Sequence, residues 1–319
     1  MPSDQQLGQT IREISRSPGQ RSIQNAMSVD VEDYFQVHAL SGSFSRARWD
    51  EYECRVEANL DRVLQLFDDA GISATFFTLA WIAERYPNLV KKIVSCGHEL
   101  ASHGLDHTRA DGQEPLAFRD DVRKSKHILE DAGACEIFGY RAASFSIGIS
   151  NQWAFSILEE EGYKYSSSIY PIRHDHYGMV TAPRFAFRPA GCALLEIPIS
   201  TVHRFGLRIP CGGGGYFRLL PYTFSKANLQ YVNFTENEPC IFYFHPWELD
   251  PGQPRPLGVP WRSRIRHYLN LGVMEDRLVT LLRDFSWNRI DRLFMTNLPT
   301  QTSSPTPAEG TSSLDRLST

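Results

Sequence analysis

The sequence predicts an α/β fold in which a mainly parallel sheet closes into a barrel. Three observations lead there. Short apolar runs alternate with segments of helical period along the chain, the pattern of β/α units. Polar residues recur just beyond strand ends, at Asp30, His103, Arg141, Ser166 and His245, where barrels of this kind hold their chemistry. An open doubly wound sheet would also use its strand ends, but no G-x-G-x-x-G follows the first strand.

The elements follow in order. Residues 27–31 are apolar, β-branched and end in acids, which reads as a buried strand delivering carboxylates to its C-terminal end. Val56, Leu60, Val63, Leu64 and Phe67 recur at helical spacing before Gly71. A strand over 72–79, a helix over 81–96 and a short strand over 99–102 come next. A helix over 118–132 precedes a strand at 137–140, and a helix over 152–161 precedes a strand at 163–167. Further strands fall at 194–199 and 241–244, and 262–285 holds one long or two short helices. That makes about seven strands, most of them followed by a helix.

Composition bounds the answer. The chain has 319 residues, 42% hydrophobic and 22% charged, ordinary globular usage that excludes a disordered, collagen-like or coiled-coil protein. Thirty-three basic and 37 acidic residues give a net charge of −4, so the chain as a whole has no electrostatic reason to bind nucleic acid or an anionic membrane. Six cysteines, at 54, 96, 135, 192, 211 and 240, lie without a C-x-x-C pair and read as reduced, mostly buried thiols. Residues 1–26 lack the apolar core of a secretion signal, and no stretch is apolar enough to span a bilayer. The expected address is the cytoplasm, with loose association at the inner membrane face left open. Residues 1–25 and 299–319 read as disordered ends, rich in Ser with Gln and Arg in the lead and Thr and Pro in the tail.

Four local patterns carry chemistry. In Ser102-His103-Gly104-Leu105-Asp106-His107 the histidines stand at i and i+4, so on a helical turn both imidazoles face one way. With a carboxylate, they form a common divalent-metal set. Asp30-Val31-Glu32-Asp33 puts three carboxylates in four residues, which repel one another unless a cation sits among them. Strand alternation groups Asp30 with Glu32, one as base and one as ligand, with Asp33 as the alternative ligand if the backbone bends. His245, in Tyr243-Phe244-His245-Pro246-Trp247-Glu248, suits a general acid. Arg141, at a strand end, suits bidentate orientation of a carboxylate. Each pattern alone also has a plain reading: unrelated or structural histidines for 103, 107 and 245, a solvated turn for the acids, and a surface ion pair for Arg141. The run Gly212–Gly215 lacks the Lys-Ser/Thr of a phosphate loop and reads as a closely packed or flexible loop. Tyr216, Phe217, Trp247 and Trp261 are candidates to stack on sugar rings, or else core residues.

Taken in this order, the motifs resemble the polysaccharide deacetylase superfamily, the NodB-homology or carbohydrate esterase family four proteins, over about residues 26–250. Three segments are similar to a branch associated with exopolysaccharide and exosortase gene clusters: 28–35 (SVDVEDYF), 213–218 (GGGYFR) and 244–248 (FHPWE). That branch carries an extra C-terminal region of unassigned role, here about 205–295. The resemblance implies a distorted (β/α)7 barrel at 26–250, with a helical extension at 251–298 packed on it. It implies metal-dependent removal of N-acetyl groups from hexosamine units of a polysaccharide or its precursor. Asp30 then matches the catalytic base, Arg141 the arginine that holds it, His245 the general acid, and His103 and His107 the metal ligands. Val31 occupies the place of the usual second aspartate, and Glu32 is the expected substitute. Ser166 stands where this branch has an aspartate. The implied cofactor is one divalent ion, zinc first, with cobalt, nickel or iron as alternatives. The implied partner is a saccharide substrate, with no nucleic acid and no transmembrane segment, and homo-oligomerisation left open. Two other readings stand beside this one: an allantoinase-like hydrolase of small cyclic amides, and a non-catalytic saccharide-binding barrel.

Overall fold

In the computed structural model, which describes residues 23–174, 177–204 and 206–296, the chain enters the sheet directly. Strand β1 (Gln24–Val31) is buried from Asn25 to Val31. Gln24 and Asn25, read from sequence as part of a disordered lead, are therefore strand residues. Asn25 exchanges amide hydrogen bonds with Asn233 at 2.8 and 3.1 Å. The remainder of the lead, and the tail at 299–319, lie outside the described residues.

The order after β1 is α1 (Val56–Asp69), β2 (Thr75–Thr78), α2 (Ala80–Arg85), α3 (Pro87–Ser95), β3 (Glu99–Ser102), α4 (Pro115–Gly133), β4 (Gly139–Tyr140), α5 (Trp153–Glu160), β5 (Tyr165–Ser166) and β6 (Leu195–Glu196). A hairpin of β7 (Thr201–Arg204) and β8 (Leu207–Pro210) follows, then α6 (Gly214–Leu219), α7 (Tyr222–Gln230) and β9 (Ile241–Phe244). The chain closes with α8 (Trp261–Tyr268), α9 (Met274–Asp284), β10 (Ser286–Asn288) and α10 (Ile290–Phe294). The helix expected over 81–96 is two helices, because Pro87 has no N–H to continue the first and instead opens the second at its first turn. The region expected over 262–285 likewise divides into α8 and α9.

Every pairing in the main sheet is parallel, in the order β10-β1-β2-β3-β4-β5-β6, with β9 also on β1. Ser28 and Val29 pair with both β2 and β9, so these two strands flank β1. The sheet curls back on itself. Between β6 and β9 the wall is carried by single bonds, Ser200 N–H to the Ile241 carbonyl at 3.3 Å and Tyr243 N–H to the Gly212 carbonyl at 2.8 Å. The result is a distorted (β/α) barrel. The segment 251–298 contributes more than helices, since β10 pairs with residues 24–26 of β1. Hairpin β7–β8 and strand β10 were not anticipated from sequence.

Alternation along β1 sets the chemistry of the interior. Met27, Val29 and Val31 face outward into a core with Val56, Leu60, Val63 and Phe67 of α1, which accounts for that helix's apolar stripe. Ala26 lies in the inner core with Phe77, Tyr165 and Tyr243, and Ser28 and Asp30 fall on the same side by period two. The inner wall thus delivers a carboxylate to the C-terminal rim.

Candidate active site and metal centre

The rim gathers residues from five strand ends. Asp30 and Glu32 come from the end of β1, His103 follows β3, Arg141 follows β4, Ser167 follows β5 and His245 follows β9. A turn in which Glu32 N–H donates to the Asp30 carbonyl at 3.0 Å ends β1. Both side chains consequently line one cavity of about 400 Å3, within the usual range for ligand pockets.

Glu32, His103 and His107 bring one ligand atom each to within 4.8 Å of one another. Glu32 Oε2 lies 2.8 Å from His107 Nε2, and Glu32 Oε1 accepts the Trp247 indole N–H at 3.1 Å. His103 Nδ1 is 2.9 Å from the Arg141 carbonyl. A carbonyl can only accept, so Nδ1 carries the proton and Nε2 keeps its lone pair for a metal. Burial pushes His103 down to about 4, so it is neutral at physiological pH. Burial alone would raise the Glu32 carboxyl, but the charges of His107 and His245 and a His107 hydrogen bond hold it well below the usual range. Two neutral-capable imidazoles and one anionic carboxylate converging in a buried site fit a divalent cation.

The two histidines meet by a route other than a helical turn. Residues 103–107 form an irregular loop with Gly104 at φ +86° and His107 at φ +59°, which brings the ring centroids to 5.2 Å. Positive φ at a non-glycine residue is costly and persists where surroundings enforce it. Here the carbonyls of Gly104 and Leu105 accept the opening N–H groups of α2 at 3.0 and 2.8 Å, and Leu105 N–H donates to Asp121 at 2.8 Å.

Asp33 belongs to the helix framework. Its carboxylate accepts N–H bonds from Tyr34 at 2.8 Å, Arg55 at 2.5 Å and Val56 at 2.9 Å, capping the start of α1 and a short turn. The alternative of Asp33 as ligand is corrected accordingly: its oxygens are spent on backbone donors away from the histidines.

Arg141 is fully buried and its guanidinium ties three strand ends together, those of β1, β4 and β5. Its Nη1 donates to Asp30 Oδ1 at 2.6 Å and Ser28 Oγ at 2.9 Å, while Nη2 and Nε hold the Ser167 hydroxyl and carbonyl at 2.8 and 3.0 Å. The guanidinium also lies 4.0 Å from the Phe77 ring centroid. Ser166 does not reach Arg141. Its hydroxyl donates to Ser168 Oγ at 2.8 Å, and its neighbour across the sheet is Glu196, whose Oε1 accepts Ser168 and Ile169 N–H at 2.9 and 2.8 Å. A carboxyl thus sits beside the serine that replaces the expected aspartate, supplied from the adjacent strand.

His245 faces the acids from the other side. Its Nε2 lies 3.4 Å from Glu32 Oε1 and 3.9 Å from Asp30 Oδ2. Its Nδ1 pairs with Glu248 Oε1 at 2.8 Å, and Glu248 Oε2 accepts Arg218 Nε–H at 2.5 Å. Burial would lower His245, but Glu32, the Glu248 bond and charge, and Asp30 together push it up to about 9. Glu248 and Arg218 were not singled out from sequence. Both stand in the quoted strings around 245 and 216, but their pairing spans 30 residues and no local pattern reveals it.

The stacking candidates divide. Tyr216 is half-buried and lines the cavity. Phe217 is corrected to a core residue, 1% exposed and edge-on to Phe242 at 5.0 Å, because the α6 turn that points its neighbour at the cavity points it inward. Trp247 borders the cavity but is stacked between His245 and His267 at 5.0 and 4.1 Å, so its faces hold the histidine and its N–H holds Glu32. Trp261 is exposed on α8. Gly213, at φ +105°, presses on β9, where a Cβ would come within 2.0 Å of the Tyr243 carbonyl. The glycine run is therefore a close-packing device. All six cysteines are free, with Cys211 and Cys240 buried, Cys96 exposed and three in between, a less buried set than expected.

Residues 49–166 match the family model described as Polysaccharide deacetylase, and residues 167–295 match the one described as Domain of unknown function (DUF3473). His103, His107 and Arg141 fall in the first, His245 and Glu248 in the second, and Asp30 and Glu32 precede both. A peptidoglycan-N-acetylglucosamine deacetylase of Bacillus cereus is 31% identical over 104 residues, which are 31% of this chain and 36% of that protein. Matched stretches span less than half the length of the curated relatives. The fold is shared with a Mycobacterium smegmatis protein described as a candidate polysaccharide deacetylase, at TM-score 0.56 and 16% identity, covering 92% of this chain and 97% of that one. It is shared equally with an allantoinase, at TM-score 0.56 and 17% identity, covering 89% and 93%. Among the described residues, no helix is long and apolar enough to cross a membrane.

Proposed function

The chain belongs to the polysaccharide deacetylase superfamily, and from that premise we propose that it is a metal-dependent hydrolase that removes N-acetyl groups from hexosamine units. The substrate in this reading is a polysaccharide or its precursor, in exopolysaccharide biosynthesis. What supports it is the 3.9 Å approach of His245 Nε2 to Asp30 Oδ2 beside the Glu32, His103 and His107 set.

Glu32, His103 and His107 would hold the divalent ion, zinc by preference for this donor set. Bound there, the ion supplies Lewis acidity for the acetamide carbonyl and for an attacking water. Asp30 Oδ1 is occupied by Arg141, so Oδ2 is the atom that takes the proton as water attacks the carbonyl carbon. Arg141 fixes the rotamer of that carboxylate. His245 Nε2 gives a proton to the nitrogen as the C–N bond breaks, and Glu248 on Nδ1 keeps the ring oriented. One C–O bond forms and one C–N bond breaks, leaving acetate and an amine.

The test is acetate release from a panel of N-acetylated oligosaccharides, with cyclic ureides as comparison substrates. The reading expects acetate from the saccharides, loss of turnover with chelator and recovery with added metal. Turnover of ureides alone would replace it with the cyclic-amide reading. Glycan binding without acetate release, metal present, would replace it with a binding barrel.

A further inference from the structure

The whole-chain charge of −4 conceals a local excess of the opposite sign. Between Asp250 and Glu275 the chain has no acidic residue, and it carries Arg255, Arg262, Arg264 and Arg266. All four are exposed. Interleaved with them stand large apolar side chains turned to solvent: Leu257 at 94%, Trp261 at 67%, Ile265 at 45% and Leu269 at 37% exposure. Trp261, Ile265 and Leu269 recur at i, i+4 and i+8, so they form one stripe along α8 and its C-terminal cap. Arg262 and Arg266, four apart, border that stripe.

The stripe also has a place relative to the active site. Ile265 and Leu269 line the cavity, as does the half-exposed Leu219 of α6 beside it. The mouth of the cavity therefore opens at the edge of a basic surface studded with exposed aliphatic and indole groups.

We propose that residues 255–269 dock this face on an anionic lipid surface and present the cavity to a membrane-borne saccharide. Arginines beside an exposed tryptophan and aliphatic side chains are the composition of an interfacial helix: the cations meet lipid phosphates and the apolar stripe enters the headgroup boundary. A purely anionic polymer would use the cations but would leave Leu257, Trp261 and Ile265 in water, so the combination favours lipid. The clause about the saccharide rests on the deacetylase reading. The docking surface does not.

The experiment uses the full chain with vesicles of phosphatidylcholine, with and without phosphatidylglycerol, at low and high salt. The protein sediments with the phosphatidylglycerol vesicles, binds phosphatidylcholine weakly and is released by salt. The double variant R262E/R264E, outside the cavity lining, lowers binding by more than about tenfold while releasing acetate from soluble oligosaccharide like the parent. Trp261→Ser weakens binding even at low salt. No binding to anionic vesicles, equal binding to neutral ones, or an unaffected double variant overturns the proposal. So does self-association that R262E/R264E disrupts in a protein that ignores vesicles. Vesicle binding that persists in a protein releasing acetate from no substrate supports the docking surface and removes the deacetylase reading alone.

Discussion

Arg141 Nη1 lies 2.6 Å from Asp30 Oδ1; the arginine is fully buried and the aspartate, at 2% exposure, borders the cavity. A buried pair of this kind costs desolvation on both sides, so its retention is weak evidence of stability and better evidence of a held geometry. Arg141 meets that cost with further bonds to Ser28 and Ser167. Arg141→Lys keeps the charge and loses the planar fork. It should lower kcat by about 100-fold, with KM little changed, and destabilise the fold by about 3 kcal/mol. Steady-state acetate release and chemical denaturation measure the two effects.

The metal set separates from the helix cap by substitution. Purified protein should carry about one divalent ion per chain, and Glu32→Gln or His103→Ala should lose it. Asp33→Ala should keep the ion and cost about 2 kcal/mol of stability, since it strands the backbone donors of Arg55 and Val56. Elemental analysis and thermal melts distinguish them. Ion loss in the Asp33 variant with retention in the Glu32 variant would reverse the assignment.

Glu196 gives a pH dependence of stability. Burial pushes its carboxyl up from 4.5 to about 7. Between those values the folded chain holds a proton that the unfolded chain has released, so this contribution is complete below about 4.5 and is lost as pH rises through about 7. Glu196→Gln removes the titration. The variant's Tm relative to the parent should therefore be higher at pH 8 than at pH 5, by on the order of 1–3 kcal/mol in free energy. A Tm difference that stays constant with pH contradicts this.

Two glycines two residues apart should behave differently. Gly213→Ala forces a Cβ against the Tyr243 carbonyl at positive φ and should cost about 2–4 kcal/mol. Gly215→Ala, whose nearest Cβ neighbour would be the Arg266 carbonyl at 3.8 Å, should change stability by less than about 0.5 kcal/mol. Denaturant midpoints decide it.

How far the sequence reached depends on the range of the interaction. Strand 241–244 and the inner carboxylate of β1 were legible because a buried parallel strand writes itself as a continuous apolar run. Strand β10 was not, because its three residues pair with β1 across the full length of the chain. His103 and His107 were legible as a pair, but their meeting depends on a loop held by α2 and Asp121, which spacing does not encode. Glu248 and Arg218 support His245 through a contact no periodicity marks. Phe217 and Tyr216 are adjacent and alike in type, and only the position of α6 against β9 sends one to the core and the other to the cavity.

The most direct measurement is acetate release by Asp30→Asn protein whose metal content equals that of the parent. The parent should release acetate and expose one amine per acetate, and the variant should retain its ion while losing at least about 100-fold in rate. Equal turnover by the metal-loaded variant would contradict the assignment of Asp30 as the base, and with it the proposed chemistry of this rim.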